Sequence, residues 1–183
     1  MSKIFCTLGP TGTCHEQATK HYIHTLGIKS SKIHYILDFA VAADLLTENK
    51  VDYIIQNCAH PMVAILNAKY CKQIYIADTF ISPTKAMGVL FRPDQSENKT
   101  LALMPATKGY INTSEWDSII EEISNPIVGQ KLLTGEYSYG VTFIEYAENY
   151  KDILKIHEDF GGPVDTAWIV YKNKQYKLSE SSQ

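Results

Sequence analysis

The 183-residue sequence predicts an α/β fold built as two similar lobes. Three observations lead there. Over the first 80 residues, short β-rich runs alternate with stretches of helical period, which is the pattern of a parallel layered sheet. The alternation breaks at Ile81-Ser82-Pro83 and then resumes. Finally, Leu45-Leu46-Thr47 before the run Asp52–Ile55 is echoed by Leu132-Leu133-Thr134 before Ser138–Val141. Each copy reads as the end of a helix feeding a strand. The echo is either coincidence or the trace of two related lobes, with residues 1–82 plus 161–173 in one and 83–160 in the other.

Each element has a local reason. Ile4-Phe5-Cys6-Thr7-Leu8 is apolar, short and stopped by Gly9-Pro10, so it reads as a buried strand. Ala18, Tyr22, Ile23 and Leu26 then fall on one helix face, closed by Gly27. Ile33–Leu37 is a strand, and Asp38 caps a helix carrying Val41, Ala42, Leu45 and Leu46. Strands are expected at Val51–Ile55 and Ile74–Ala77, with a helix at Met62–Tyr70 between them. The second half predicts strands at Met87–Phe91 and Leu101–Met104, then a helix at Glu115–Ile123 with Ser114 as its N-cap. A short helix at 130–134, a strand at Tyr137–Phe143 and a short helix at Glu145–Tyr150 follow. Strands at Ile153–Ile156 and Ala167–Tyr171 complete the pattern, and residues 174–183 read as a frayed polar tail.

Composition narrows the function. A chain of this length buries about 70% of its unfolded surface and folds without disulfide or metal. Net charge is −3, and sixteen Lys accompany a single Arg, Arg92. Readers of nucleic-acid phosphates present an Arg-rich basic face, so a nucleic-acid partner is not expected. No run reaches the ~18 apolar residues of a membrane span, and residues 1–8 lack a signal-peptide pattern. Cys6, Cys14, Cys58 and Cys71 are far apart, which fits reduced thiols and a cytoplasmic setting. No His or Cys pair has zinc-site spacing, so no metal is expected.

The most informative segment is Leu8-Gly9-Pro10-Thr11-Gly12-Thr13-Cys14-His15-Glu16, between the first strand and the first helix. Thr13 with Glu16 forms a capping box, and Gly12 allows a tight turn. The free N–H groups of that helix start would make an anion site, or merely a well-capped helix. It is neither a Walker loop nor a dinucleotide fingerprint, because no Lys follows Gly12 and the Gly spacing is wrong.

Thr7-Leu8-Gly9-Pro10-x-Gly12-Thr13-x-x-Glu16-x-Ala18 resembles the opening of prephenate dehydratase domains. The resemblance continues through Val51–Ile55, where the family has the strand leading to a Glu-Asn-Ser motif. It ends at Asp165-Thr166-Ala167-Trp168, where the family has Thr-Arg-Phe. It implies two periplasmic-binding-protein-like α/β lobes around a cleft, with no cofactor and no room for the family's regulatory C-terminal domain. The sequence departs from the family's Phe-Ser at Cys14-His15, from Glu-Asn-Ser at Cys58-Ala59-His60-Pro61, and keeps only Thr166 of the last triplet. In these losses, and in Met87-Gly88-Val89-Leu90-Phe91-Arg92-Pro93-Asp94, it looks closer to the prephenate decarboxylases of bacilysin-type antibiotic biosynthesis.

The resemblance implies a lyase acting on prephenate, a small dicarboxylate. Decarboxylation keeps the ring hydroxyl, whereas dehydration expels it and gives phenylpyruvate for L-phenylalanine biosynthesis. A non-catalytic binder of small anions is another class this fold serves, and a pseudoenzyme acting through a partner is a third. Gly12, Thr13, Cys14 and His15 are the expected anchors for one carboxylate. His60 is an anchor or general acid, or else a loop histidine; Asn57 beside it is a donor. Thr166 hydrogen-bonds a carboxylate or the ring hydroxyl, or faces outward on its strand. Lys85, at the expected lobe crossing, complements the dianion or is a solvated surface cation. Arg92 reads as structural and Trp168 as core. A homodimer is left open.

Overall fold

The computed structural model describes residues 2–175. The tail expected at 174–183 therefore lies outside the described residues beyond Gln175. The described residues divide into two compact units. One holds the chain up to Thr84 and from Asp165 onward, and the other is Lys85–Val164. No helix among the described residues is long and apolar enough to cross a membrane.

The first unit contains β1 (Lys3–Leu8), α1 (Cys14–Thr25), β2 (Ser31–Ile36), α2 (Phe39–Thr47), β3 (Tyr53–Asn57), α3 (Met62–Lys69), β4 (Ile74–Pro83) and β10 (Asp165–Asn173). Its sheet has the order β2-β1-β3-β10-β4. β1 runs parallel to both β2 and β3. β10 enters antiparallel between β3 and β4. Alternation along the strands divides the apolar side chains between two faces. Cys6, Ile54, Ile169 and Tyr171 pack with Phe39, Ala42 and Leu46 of α2 and Leu66 of α3. Phe5, Ile55, Trp168 and Val170 pack with Ala18 and Tyr22 of α1.

The second unit contains β5 (Met87–Phe91), β6 (Thr100–Leu103), β7 (Ser118–Glu121), α4 (Asn125–Thr134), β8 (Tyr139–Phe143), α5 (Glu145–Asn149) and β9 (Lys155–Asp159). Its sheet order is β7-β6-β8-β5-β9. Position by position this repeats the first sheet: β7 and β8 run parallel to β6, and β5 lies antiparallel between β8 and β9. The Leu-Leu-Thr echo marks equivalent steps, α2 into β3 and α4 into β8. A second device recurs. Asn173, at the end of β10, donates from Nδ2 to the Leu46 and Thr47 carbonyls at 3.1 and 3.2 Å. Arg92, just after β5, donates from one guanidinium nitrogen to the Leu132 and Leu133 carbonyls at 3.1 Å each. Each side chain reaches two carbonyls of a helix C-terminus, where Leu46 and Leu132 also accept a backbone N–H, from Asn49 and Gly135. Arg92 is thus structural, as its sequence suggests.

Several expected elements differ. The helix expected at Glu115–Ile123 is a 3₁₀ turn at Thr113–Glu115 followed by strand β7. The Ser114 hydroxyl donates to Asn112 Oδ1 at 2.8 Å rather than capping a helix. Ile119 and Ile120 suit the parallel ladder with β6. α4 begins at Asn125, five residues before the expected start, with Pro126 in its first turn. β4 runs on through Pro83 because β10 pairs with it over its whole length. β9 starts two residues later than expected and ends three later.

Gly88 marks a close approach on β5. A Cβ there would lie 2.3 Å from the Glu158 carbonyl oxygen and 2.8 Å from Ile144 Cδ1. Gly88→Ala must push β9 away, so it should cost ~1–3 kcal/mol. The urea midpoint should fall with an unchanged slope; an unaltered midpoint would show that β9 yields freely.

Candidate functional site

The turn after β1 is built around Glu16. Thr13 caps α1 by accepting the Glu16 N–H on Oγ1 at 3.2 Å, and its hydroxyl donates to the Leu8 carbonyl at 3.2 Å. Gly12 has φ +88°, a left-handed conformation that favours glycine. The Glu16 carboxylate reaches back to the Gly12 N–H, one residue beyond the usual capping-box target. It also accepts from Tyr35 Oη at 2.8 Å and pairs with Lys20 Nζ at 2.6 Å. Burial pushes the Glu16 carboxyl up, but hydrogen bonds from Lys20, Gly12 and Tyr35 outweigh it and hold the group below the usual range.

Two of the expected anchors have partners of their own. The Gly12 N–H and the Thr13 hydroxyl are engaged within the chain, and a fixed carboxylate already occupies the positive end of α1. Cys14 packs half-buried against the cluster of Phe5, Trp168 and Val170.

The next residue, His15, leads to a different grouping. Its ring meets Trp168 edge-on at 5.0 Å, Phe39 at 5.7 Å and His60 at 6.3 Å between centroids. Its Nε2 lies 3.5 Å from the Asn57 N–H, a long contact. Burial, reinforced by His60, pushes its pKa down to about 3. His60 sits in the turn after β3 and packs edge-on against Phe39 at 4.9 Å. Its Nδ1 accepts the Met62 N–H at 3.2 Å and so caps α3, whose nominal cap residue, Pro61, makes no such bond. Burial lowers the His60 pKa, opposed by the charge of Asp38. Both imidazoles are therefore neutral at pH 7. The acceptor nitrogens assign the tautomers, leaving His15 Nδ1–H and His60 Nε2–H as donors.

β10 supplies the fourth member. Trp168 pairs with Asn57 across the β3 ladder, and Cys58 N–H extends that ladder to the Ala167 carbonyl at 3.0 Å. This register sets Thr166 beside Asn57, whose Nδ2 donates to Thr166 Oγ1 at 3.2 Å. Asn57 Oδ1 accepts the Ala59 N–H at 2.9 Å, which fixes the amide orientation. Trp168 is fully buried and donates from Nε1 to the Ser82 carbonyl at 3.0 Å.

Four predicted residues thus come together at the C-terminal end of β3, beside the start of β10: His15, Asn57, His60 and Thr166. Lys85 is the expected residue that lies outside the first unit. It belongs to the second unit, where it pairs with Glu145 at 2.7 Å and lies 5.0 Å over the Phe143 ring. Sequence reasoning missed Phe39, which packs against both histidines. Its signal was an aromatic directly after the Asp38 cap, at the strand-to-helix step where such sheets place their sites.

The electrostatics give a pH dependence. Below pH 6.5 the unfolded chain protonates its histidines, while folded His15 resists down to about pH 3. The unfolded state then holds more protons, so stability falls as pH drops through that window, by up to ~1.4 kcal/mol per pH unit for one proton. Between pH 6.5 and the carboxylate range this slope belongs to histidine. His15→Gln should flatten it in urea titrations at stepped pH, and an unchanged slope would contradict the burial of that ring.

No protein-family model and no curated protein matches the chain. Solved structures do. The prephenate dehydratase of Arthrobacter aurescens, determined in complex with L-Phe, superposes with TM-score 0.64 at 15% identity, over 93% of this chain and 60% of that one. The Staphylococcus aureus prephenate dehydratase gives TM-score 0.58 at 13% identity, over 94% and 66%. An ABC transporter protein from Parabacteroides distasonis gives 0.59 at 14%, over 100% and 70%. The chain thus spans about three fifths of the Arthrobacter protein's length. Its fold is that of prephenate dehydratase domains, and equally of this transporter protein: two α/β lobes.

Proposed function

We propose that the chain is a lyase for prephenate or a closely related cyclohexadienyl acid, and that it removes CO2 while leaving the ring hydroxyl in place, as in bacilysin-type biosynthesis. The observation that carries this reading is the Asn57–Thr166 hydrogen bond beside two neutral imidazoles, on a prephenate dehydratase-like fold. His15 Nδ1–H and His60 Nε2–H offer uncharged donors to carboxylate or keto oxygens. Phe39 and Trp168, both fully buried, pack behind the two rings and keep their surroundings apolar. A carboxylate held by neutral donors in apolar surroundings is poorly solvated, which favours departure of CO2. The ring–carboxylate bond breaks, its electron pair enters the diene, and water protonates a ring carbon.

Retention of the hydroxyl follows from what surrounds Thr166. In the dehydratase pattern this Thr is followed by Arg; here Ala167 follows it. A threonine hydroxyl is a weak acid unless a cation assists it, and neither nearby imidazole is cationic at neutral pH. Of the two roles the sequence allows His60, the geometry favours anchoring. Protonating Nδ1 would break the α3 cap, so His60 acts as a donor from Nε2. The substrate would be met in the cytoplasm, and no step calls for a metal or organic cofactor.

A second reading is a non-catalytic binder of small organic acids, which the transporter protein of the same fold favours. Incubation with prephenate followed by NMR of the products separates the readings. Non-aromatic dihydro-hydroxyphenylpyruvate is the expected product, and phenylpyruvate would mean dehydration. Saturable heat without turnover would establish the binder. Thr166→Val should lower turnover at least ~tenfold, and unchanged kinetics would remove that hydroxyl from the mechanism.

A further inference from the structure

A helix N-terminus usually attracts an anion, and α1 already has one of its own. The Glu16 side chain is only 11% exposed and holds three partners: the Gly12 N–H, the Tyr35 hydroxyl and the Lys20 ammonium. Thr13 closes the other side by accepting the Glu16 N–H. The carboxylate therefore takes the Gly12 N–H and sets a fixed negative charge beside the first amides of α1, where an incoming carboxylate or phosphate would have to dock. We infer that Glu16 is a specificity-determining residue: an internal anion that bars a ligand's anionic group from the Gly12–Cys14 turn and restricts the first unit to contacts through His15, Asn57, His60 and Thr166.

The physical reasoning has two parts. An external anion must displace a tethered carboxylate whose effective concentration is high. It must also approach a second negative charge that stays nearby, with Lys20 the ammonium ion-paired to Glu16 among the described residues. For the reading proposed above, on which this consequence rests, the first unit would hold one carboxylate of a dicarboxylate on neutral donors. The other carboxylate would be excluded from the α1 turn. Ligands are thus sorted by where their charges lie as well as by their ring.

Inorganic phosphate tests the inference without reference to prephenate turnover. Two-dimensional amide NMR of the full chain follows Gly12 and Cys14 as phosphate is added. In the wild type both signals should stay in place. In Glu16→Gln, which keeps the carbonyl acceptor and volume but loses the charge, they should move saturably, with phosphate bound about tenfold tighter or more. Glu16→Ala should bind tighter still. The dispersed spectrum reports folding in the same experiment, and Glu16→Gln decides if the Ala variant unfolds. Saturable movement in the wild type as tight as in Glu16→Gln would overturn the inference, as would a folded Glu16→Gln blind to phosphate. A prephenate lyase with an open α1 turn, or a closed turn in a protein that leaves prephenate untouched, would each be seen separately.

Discussion

The arrangement depends on where β10 enters the first sheet. Without it, β3 and β4 would not be bridged, and the residues of the candidate site would come only from the first 62 positions. Burial of Trp168 fixes the register: its indole fills the space under α1, and its N–H satisfies the Ser82 carbonyl. Because strand side chains alternate, a slip of one residue would expose that indole and turn Thr166 to the opposite face. Burying a Trp side chain is worth several kcal/mol, far more than the Asn57–Thr166 hydrogen bond. Hydrophobic packing therefore sets the polar geometry.

The same packing sets the charge of the site. Phe39, Trp168 and the paired imidazoles exclude water around His15, which disfavours its cationic form. Each histidine then takes a backbone N–H as partner, at Asn57 and at Met62. Protonation would cost both desolvation and a lost acceptor. Two carboxylates lie nearby: Asp38 caps α2 through the Ala40 N–H, and Glu16 is turned toward β2 and engaged by Tyr35, Lys20 and Gly12. His15, Asn57, His60 and Thr166 are thus a set of uncharged polar groups.

Much of this was legible in the sequence. The βα alternation, the Asp38 and Thr13 caps and the Leu-Leu-Thr echo each come from short-range chemistry, and each has its counterpart in the structure. The misplaced helix at Glu115–Ile123 shows where that chemistry stops. Ser114 and Asp117 imitate a capping box, but pairing with β6 and the packing of Ile119 outweigh propensity. At the site, the sequence pointed to His15, Asn57, His60 and Thr166. It could not show that Glu16 bonds one residue past the usual target and thereby engages Gly12. Nor could it place Phe39 between two histidines 45 residues apart in sequence, since that contact exists only once α2 has packed.

The claim at the centre of this account is that two uncharged imidazoles of opposite tautomer face the site. Nitrogen-15 NMR of the His15 and His60 rings measures this directly in the unliganded protein. At pH 7 His15 should carry its proton on Nδ1 and His60 on Nε2, and His15 should stay neutral when the pH is lowered to 5. An imidazolium at neutral pH, or rapid exchange of both rings between tautomers, would contradict the account.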